Sequence, residues 1–364
     1  MLVAAPVMKS VPFISVIINT YNGAGTIART IESFKSQDYP GDCFEIIVAD
    51  DGSSDDTAEV AQAHGALVVR LPVNRGISAA RNAGLDLAKG SIILATDDDC
   101  VALPDLLRQI AAGYQSPDIM GVGSFLIPSR QACTLVEDYM NETATGMESA
   151  LVKPFGGNPL SRLWYYLVSK VKIPACLPES MAVDVLYGAT GTFRADALRA
   201  VGGWDVSMSG IEDRDICMRL NHQFPDKRFV LRREARMVHD PDMTLMKYLL
   251  RPFQRGPRNL EFHQRYKLLP PVFPMPILAG VGFLAGASHH PLTALSCLVL
   301  MPQLLYFWWP LRAWHRRDAG LLLFTYVQLA EESMVILGLL RGYIRPFKRS
   351  YRAFAQSLSH NFIL

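Results

Sequence analysis

Residues 44–57 of the chain read FEIIVADDGSSDDT. The first six of these residues are apolar apart from one glutamate, which is typical of a buried β-strand. The next stretch combines Asp, Gly, Ser and Thr, residues that end a strand and cap a following helix, here predicted over 56–64 with Asp55 or Asp56 as its cap. A strand that ends in two aspartates and leads directly into a helix is the repeating unit of an α/β sheet.

The same strand and helix patterns recur on both sides of this stretch. Apolar runs predict further strands at 13–18, 66–70 and 92–95, and apolar residues at helical spacing predict helices at 27–34 and 78–89. This alternation predicts a mostly parallel α/β sheet flanked by helices. In such sheets ligands bind at the carboxyl ends of the strands, and the acidic residues of this chain fall at those ends.

The composition divides the chain into an acidic body and a basic, apolar C-terminal part. The 364 residues include 36 Lys and Arg, 34 Asp and Glu and 50% apolar residues, which excludes a disordered or collagen-like chain. Residues 245–364 carry 14 Lys and Arg against 4 Asp and Glu. Because these bases flank apolar runs, they favour anionic lipid headgroups over nucleic acid, and we expect no nucleic-acid partner.

The cysteines and the first residues indicate the compartment. The six cysteines include no Cys-x-x-Cys pair, so neither a zinc knuckle nor a secreted disulfide framework is indicated, and a reducing cytoplasm is the simpler interpretation. The first eight residues are apolar but have no basic segment before them and no cleavage site of small residues. We therefore predict no signal peptide.

Aspartates at two strand ends predict a ligand site. Of the adjacent pair Asp50 and Asp51, one carboxylate must point into the cleft, and we favour Asp51 as the acceptor of a nucleobase N–H. Side-chain alternation along the strand 92–95, if continued, places Asp97 and Asp99 on one face. Two such charges about 6 Å apart repel by roughly 3 kcal/mol at a dielectric constant near 20, and a divalent cation removes that repulsion. Oxygen ligands suit Mg²⁺ or Mn²⁺, although a solvated acidic turn would also explain this motif.

A dinucleotide-binding turn is the alternative at the first strand end. Residues 23–28 read GAGTIA, which has the Gly-x-Gly-x-x-Ala spacing of NAD-dependent oxidoreductases. However, the next strand-end acid, Asp50, lies 27 positions after Gly23 rather than about 20. This spacing disfavours an oxidoreductase.

Taken in series, the motifs resemble family 2 glycosyltransferases of the GT-A fold over roughly residues 11–255. They are SVIINTYN at 15–22, VADDGSSD at 48–55, NRG at 74–76, ARNAG at 80–84 and DDD at 97–99. The resemblance implies inverting transfer from a nucleotide-diphosphate sugar, which we expect to be UDP-linked. It implies a metal site at Asp99, with His239 within reach of the metal or diphosphate, although a structural role is the alternative for a lone histidine. It also implies donor contacts from Thr20, Tyr21, Asp51, Arg81, Asp97 and Asp98.

The family pattern continues at GATGTFR (188–194), GGWD (202–205) and IEDRD (211–215). The resemblance makes Asp213 the general base that takes the acceptor proton, with Glu212 and Asp215 as its neighbours. Acids in the first turn of a helix also match the helix dipole, so that explanation stays open. The resemblance places Trp204 against the acceptor sugar, and a core position is the alternative.

The C-terminal part predicts membrane association. Residues 268–311 contain no Asp, Glu, Lys or Arg, enough for two spans joined by a turn at 288–291, with a buried soluble hairpin as the alternative. Tyr306, Trp308 and Trp309 are predicted to form an aromatic belt before Arg312, Arg316 and Arg317 on the cytosolic side. Glu331 and Glu332 interrupt the apolar stretch 319–340, which we therefore predict to be re-entrant or interfacial, with a cytosolic C-terminus.

These patterns predict three regions. Residues 1–244 form the catalytic domain, with a nucleotide-sugar half at 11–123 and an acceptor half at 124–244. Residues 245–267 form a basic interfacial helix, and 268–364 form the membrane hairpin, the re-entrant or interfacial helix and a basic tail. Within the acceptor half, the aromatic run 164–166 could stack on a sugar, meet the membrane interface or pack as a helix.

The resulting hypothesis is a glycosyltransferase on the cytoplasmic face of the inner membrane that moves a single sugar to a glycan or lipid-linked acceptor. Its membrane partners are lipids. The processive signature Gln-x-x-Arg-Trp is incomplete around Gln254 and Arg255 because the tryptophan is missing, so non-processive transfer is expected. An inactive membrane scaffold of the same fold is the non-enzyme alternative. The aspartates at 51, 97, 99 and 213 argue against it, since a scaffold needs none of them.

Overall fold

The computed structural model describes residues 11–128, 134–144, 160, 179–239, 243–271 and 273–344. The predictions about the first eight residues, the aromatic run 164–166 and the basic tail beyond 344 lie outside these ranges. The chain divides into two compact units. The first comprises residues 1–132, 143–154 and 174–241, and the second comprises 133–142, 155–173 and 242–364.

The first unit is built on strands and helices that alternate along the chain. Its first half contains β1 (Ile14–Thr20), α1 (Ile27–Lys35), β2 (Phe44–Asp50), α2 (Thr57–Ala63), β3 (Leu67–Arg70), α3 (Ile77–Leu87), β4 (Ile92–Asp97), β5 (Cys100–Ala102) and α4 (Leu106–Gly113). Its second half contains β6 (Ile119–Pro128), β7 (Ser180–Val183), β8 (Gly191–Arg194), α6 (Ala195–Ala200), a 3₁₀ turn (Val206–Met208), α7 (Glu212–Gln223) and β9 (Arg228–His239). The four strands and three helices predicted within 13–95 are all present.

All nine of these strands belong to one sheet, with the order β3-β2-β1-β4-β8-β6-β9-β5 and β7 beside β9. The pairs β1 with β2, β1 with β4 and β2 with β3 are parallel, as predicted. Strand β8 runs antiparallel to both β4 and β6. The mixed α/β fold class is therefore confirmed, with a parallel half that carries the strand-end acids.

The sheet is covered by helices on both faces. Ile14, Val16 and Ile18 of β1 share one apolar core cluster with Ile31 and Phe34 of α1. On the other face α3 approaches closely at Gly84, where a Cβ atom would lie 2.6 Å from Ile17. This close approach of α3 brings its side chains to the carboxyl ends of β1 and β4.

The second unit is helical. It contains α5 (Leu135–Ala144, of which residues 143–144 group with the first unit), α8 (Leu245–Arg265), α9 (Pro274–His289), α10 (Pro291–Leu305), α11 (Trp308–Arg316), a 3₁₀ turn (Ala319–Leu323) and α12 (Phe324–Ile344). Helices α8 and α12 pack so closely that a Cβ on Gly256 would lie 2.1 Å from the carbonyl carbon of Gly338.

The predicted hairpin at 268–311 forms, but its helices α9 and α10 have only 16 and 15 residues. At 1.5 Å per residue these helices extend about 22 to 24 Å, less than the roughly 30 Å of a bilayer core. The described stretch that meets the length and composition of a span is Ala319–Ile344, with a mean hydropathy of 1.4. The bent pair of α10 and α11 meets the same test only when it is counted as one broken span. The helices of the hairpin are thus shorter than the two spans of about 20 residues that the sequence predicts, and a re-entrant or interfacial 319–340 stays a prediction.

The predicted aromatic belt is also corrected. Tyr306, Trp308 and Trp309 are at most 2% exposed and pack in a cluster with Tyr139 and Phe324. Their polar atoms are bonded inside the unit: both indole N–H groups donate to Gln328 Oε1, and the Tyr306 hydroxyl donates to Glu332 at 2.8 Å. Hydropathy and spacing cannot distinguish an aromatic residue that faces lipid from one that packs in a helical core.

Candidate active site

The candidate site lies at the carboxyl ends of β1, β2 and β4. Strands β1 and β4 are neighbours, with Asn19 directly opposite Asp97 in the register. The amide nitrogen of Asn19 donates a 2.9 Å hydrogen bond to the Asp97 carboxylate. Asn19 was not among the predicted site residues, although its place at the end of a buried strand was the signal that could have identified it.

Asp51 lies in this region but is engaged by the chain itself. One carboxylate oxygen accepts the backbone N–H of Arg75 and the other accepts that of Gly76, both at 2.7 Å. Gly52 permits this turn because its φ is +75° and a Cβ there would lie 2.6 Å from the carbonyl carbon of Val73. Asp51 thus holds the 75–76 loop in place, and its contact with a nucleobase stays a prediction. Tyr21, the residue directly after β1, is half exposed.

The buried Thr20 and the partly buried Asp98 form a pair. The Thr20 hydroxyl donates a hydrogen bond to Asp98 Oδ2. Burial, with the neighbouring charges of Asp99 and Asp97, raises the pKa of Asp98 to about 6 despite this bond. A Cβ on Gly23 would lie 1.9 Å from the Asp98 carboxylate, so this glycine makes room for Asp98. This contact accounts for the first glycine of the Gly-x-Gly-x-x-Ala spacing without a dinucleotide.

Arg81 joins the two halves of the site. Its side chain is 1% exposed. Its Nε donates to Asn19 at 2.8 Å and its Nη2 to Asp97 at 3.2 Å. Its Nη1 donates to Asp213 at 3.1 Å and to Glu212 at 3.3 Å. A single buried guanidinium therefore links a strand-end aspartate to two carboxylates that lie more than a hundred residues later in the chain.

The three acids of α7 differ in environment. Asp215 is fully buried and accepts a 2.8 Å bond from Arg219 within the same helix. Burial and the charge of Asp213 raise the pKa of Glu212 to about 7, against the opposing effect of Arg81. The Asp213 side chain is 25% exposed, against 7% for Glu212. Asp213 is consequently the carboxylate of this cluster with the most access to a bound molecule.

Gly188 lies against that carboxylate, because a Cβ on this residue would be 2.2 Å from Asp213 Oδ1. Trp204 is 2% exposed, and its ring lies 6.4 Å from Phe193 and 5.9 Å from the Arg81 guanidinium. The indole therefore occupies the core position that was the alternative to an acceptor contact. There it packs against the residue that holds Asp213.

Asp99 and His239 form the candidate metal centre. Strand alternation predicts Asp97 and Asp99 on one face, but β4 ends at Asp97 and residues 98–99 form a turn. Asp97 turns to Arg81, whereas Asp99 Oδ2 lies 3.3 Å from His239 Nε2. Burial would raise the pKa of Asp99, but the hydrogen bond and charge of His239 outweigh it and lower the pKa.

Cys100 completes this cluster. It lies directly opposite His239 in the antiparallel pair of β5 and β9, so both side chains point to the same face. The ligand atoms of Asp99, Cys100 and His239 all lie within 4.8 Å of one another. A carboxylate oxygen and an imidazole nitrogen are ligand atoms chemically suited to a divalent cation. The strand ends thus carry a partly exposed carboxylate at a buried guanidinium and, after β4, a candidate metal centre.

Comparison with known proteins gives the family that the chain resembles. Residues 15–132 match the model of the family described as glycosyl transferase family 2. The chain contains a family 2 glycosyltransferase domain. The succinoglycan biosynthesis protein ExoO of Rhizobium meliloti is 39% identical over 118 residues, which are 30% of this chain and 33% of that protein. The glucosyl-dolichyl phosphate glucuronosyltransferase of Haloferax volcanii is 24% identical over 241 residues, 62% of this chain and 68% of that protein.

A solved structure shows the same fold. The mannosyltransferase PcManGT from Pyrobaculum calidifontis, in complex with GDP-Man and Mn²⁺, aligns with a TM-score of 0.56 at 20% identity. The alignment covers 91% of this chain and 87% of that one. The GT-A fold is thereby confirmed. The chain spans about a third of the length of several curated relatives that it matches at 35 to 39% identity.

Proposed function

We propose that the chain is an inverting, metal-dependent glycosyltransferase that moves a single sugar from a nucleotide-diphosphate donor to a hydroxyl group of a glycan or lipid-linked acceptor. The observation that carries this proposal is the Arg81 cluster. It fixes a partly exposed carboxylate, Asp213, beside the strand-end residues Asn19 and Asp97, where a GT-A sheet binds its ligand.

The bond changes assign a role to Asp213. In inversion the acceptor oxygen attacks the anomeric carbon from the face opposite the diphosphate. As the new carbon–oxygen bond forms, the bond to the phosphate oxygen breaks and its electron pair leaves with the nucleoside diphosphate. The acceptor hydroxyl becomes acidic as it attacks, and Asp213 takes its proton. Arg81 holds Asp213 in place through Nη1, and Gly188 leaves room for its carboxylate.

Asp99 and His239 are the residues that would hold the metal. When bound, a divalent cation neutralises charge that builds up on the leaving diphosphate. The Mn²⁺ in the complex of the similar mannosyltransferase supports a cation here, and we include Mg²⁺ as a candidate. The donor contacts proposed for Thr20, Tyr21, Asp51, Arg81, Asp97 and Asp98 surround the same strand ends. For Arg81 and Asp98 the structure supports a role in positioning other side chains.

We further propose that the enzyme works at the cytoplasmic face of the inner membrane. The apolar helix Ala319–Ile344 and the exposed apolar residues of α9 and α10 support this setting. The acceptor of the similar glucuronosyltransferase, named as a glucosyl-dolichyl phosphate, supports a lipid-linked acceptor. The proposal also includes a UDP-linked donor, transfer of one sugar per encounter and membrane lipids as partners.

The test is a nucleotide-release assay across UDP-, GDP- and dTDP-sugars, with Mn²⁺ or Mg²⁺ and with EDTA. We expect one donor to be consumed only when a divalent ion is present. Asp99→Asn should abolish the metal-dependent binding and consumption of the donor, whereas Asp86→Asn, the same change at an exposed residue of α3, should not. Full activity in EDTA would contradict the metal role. Absence of binding to every donor would favour the scaffold, and NAD binding would favour the oxidoreductase.

A further inference from the structure

Helix α11 exposes an apolar stripe at the end of the hairpin. Phe307, Leu311 and Trp314 are 49%, 47% and 82% exposed. Their spacing of four and three residues puts them on one side of a helix. We call these three residues the outer stripe. The axis of α11 is bent by 75° from that of α10, so the stripe does not simply continue the direction of the hairpin.

The opposite side of α11 is fixed in the core of the helical unit. Trp308 and Trp309 are 2% exposed, and their indole N–H groups donate to Gln328 Oε1 at 3.2 and 2.7 Å. The Arg312 guanidinium stacks on the Trp309 ring at 5.0 Å. Rotating α11 to bury the outer stripe would break both indole bonds in an apolar environment, which is costly. The stripe therefore stays on the outside.

Charge at the end of α11 indicates what the stripe meets. His315, Arg316 and Arg317 follow Trp314 directly, and all three are exposed. Arg316 forms an ion pair with Glu142 of the same unit, which keeps this cationic end ordered. An exposed tryptophan beside arginines matches the boundary between acyl chains and anionic headgroups.

The adjoining helices present apolar surface as well. Exposed apolar residues of α10 are Leu292, Leu295, Leu298, Val299, Leu300 and Leu304. Those of α9 are Ile277, Leu278, Val281, Phe283 and Leu284. A bent helix with an outward apolar stripe next to two apolar helices matches an interfacial helix beside a membrane-inserted hairpin.

We propose that the outer stripe is a lipid-binding surface that lies in the headgroup region of a bilayer rich in anionic lipid. This deepens the membrane setting of the proposed function and rests on it. The arginines at the end of α11 contact lipid phosphates, while Phe307, Leu311 and Trp314 reach the upper acyl chains. The aromatic anchor of this unit is thus Trp314, in place of the buried residues Tyr306, Trp308 and Trp309.

The test uses tryptophan fluorescence of the full chain in vesicles of phosphatidylcholine and phosphatidylglycerol whose acyl chains are brominated near the headgroup. Trp204, Trp308 and Trp309 are each 2% exposed, so Trp314 is the strongest candidate for contact quenching among the described tryptophans. We expect brominated lipid to quench the wild type and expect Trp314→Phe to remove the larger part of the quenching. Trp204→Phe, which removes one buried indole from the first unit, should leave it in place.

Selectivity is tested by placing the bromine on one lipid at a time. Brominated phosphatidylglycerol should quench more than brominated phosphatidylcholine at equal content, and the double variant Arg316→Gln, Arg317→Gln should remove that difference. Equal quenching in the wild type would overturn the anionic preference. Quenching of Trp314 by aqueous iodide in place of lipid would show a water-facing stripe, and quenching by neither would show a protein partner, such as a second copy.

Either of those two results would overturn the lipid-binding surface. Neither would affect the proposed transferase, since donor consumption is measured separately in the same samples. Conversely, lipid quenching without consumption of any donor would leave the surface standing and contradict the proposed function.

Discussion

Replacing Arg81 by methionine should destabilise the first unit strongly. Methionine has a side chain of similar length but lacks the guanidinium N–H groups that donate to Asn19, Asp97, Glu212 and Asp213. Removing one partner of a buried ion pair costs about 3 to 5 kcal/mol. Asp97 and Asp213 are 32% and 25% exposed and can regain water, so we expect the lower end, about 3 kcal/mol.

The pH dependence gives this prediction a second signature. Arg81 lowers the pKa of Glu212, while burial and Asp213 raise it. Without the guanidinium the pKa of Glu212 in the folded protein should rise further. Glu212 then keeps a proton in the folded protein that the unfolded chain has lost, and it does so over a wider pH range. Stability is then lost as the pH rises. The variant should therefore lose more stability than the wild type between pH 5 and pH 8.

The assay is thermal unfolding of the full chain in detergent at pH 5, 6.5 and 8. Arg199→Met is the matched control, because this exposed arginine donates to the carbonyls of Leu85 and Ala88 but has no carboxylate among these bonds. Arg199→Met should lower the free energy of unfolding by about 1 kcal/mol at every pH. An Arg81→Met variant no less stable than Arg199→Met at pH 8, or one with the pH slope of the wild type, would refute the reasoning.

Further predictions concern the same site. Glu212 has a raised pKa in the folded protein, so its contribution to stability is present below pH 4.5 and is lost as the pH rises through about 7. The melting temperature of Glu212→Gln relative to that of the wild type should therefore rise from pH 5 to pH 8. A difference between the two proteins that stays the same over this range would contradict this. Gly188→Ala, whose Cβ would lie 2.2 Å from Asp213, should lower kcat by about 10², because a shift of 1 Å costs that much. Gly25→Ala, with no atom within 4 Å of its Cβ, should keep wild-type turnover. His239→Ala should weaken Mn²⁺ binding, measured by calorimetry without donor, by at least about tenfold, and unchanged affinity would remove His239 from the metal site.

Local patterns predicted the first half of the sheet because each signal acts within a few residues. Strands β1, β2 and β4 are mainly apolar, and of the two predicted caps of α2 it is Asp55 whose carboxylate accepts the Thr57 N–H. The acids at the strand ends followed from the same patterns. Their position near one edge of the sheet could be predicted because the carboxyl ends of parallel strands lie at the same edge.

The connections within the site could not be predicted in the same way. Arg81, Asp97 and Asp213 meet because α3 approaches β1 closely at Gly84, a contact that no spacing in the sequence encodes. Strand alternation does not extend to Asp99, because β4 ends two residues earlier and a turn follows. In the helical unit, apolar runs did not reveal that Trp308 would find a buried polar partner in Gln328.

The most direct test of the central claim is turnover of Asp213→Asn with the donor that the wild type consumes. The change keeps the shape of the side chain but removes its basicity, so donor affinity should persist while kcat falls by roughly 10² to 10⁴. Asp86→Asn, an exposed aspartate outside the site, should retain wild-type turnover. Near-normal kcat in Asp213→Asn would contradict the assignment of the base, and near-normal kcat in Glu212→Gln and Asp215→Asn as well would contradict base catalysis by this cluster.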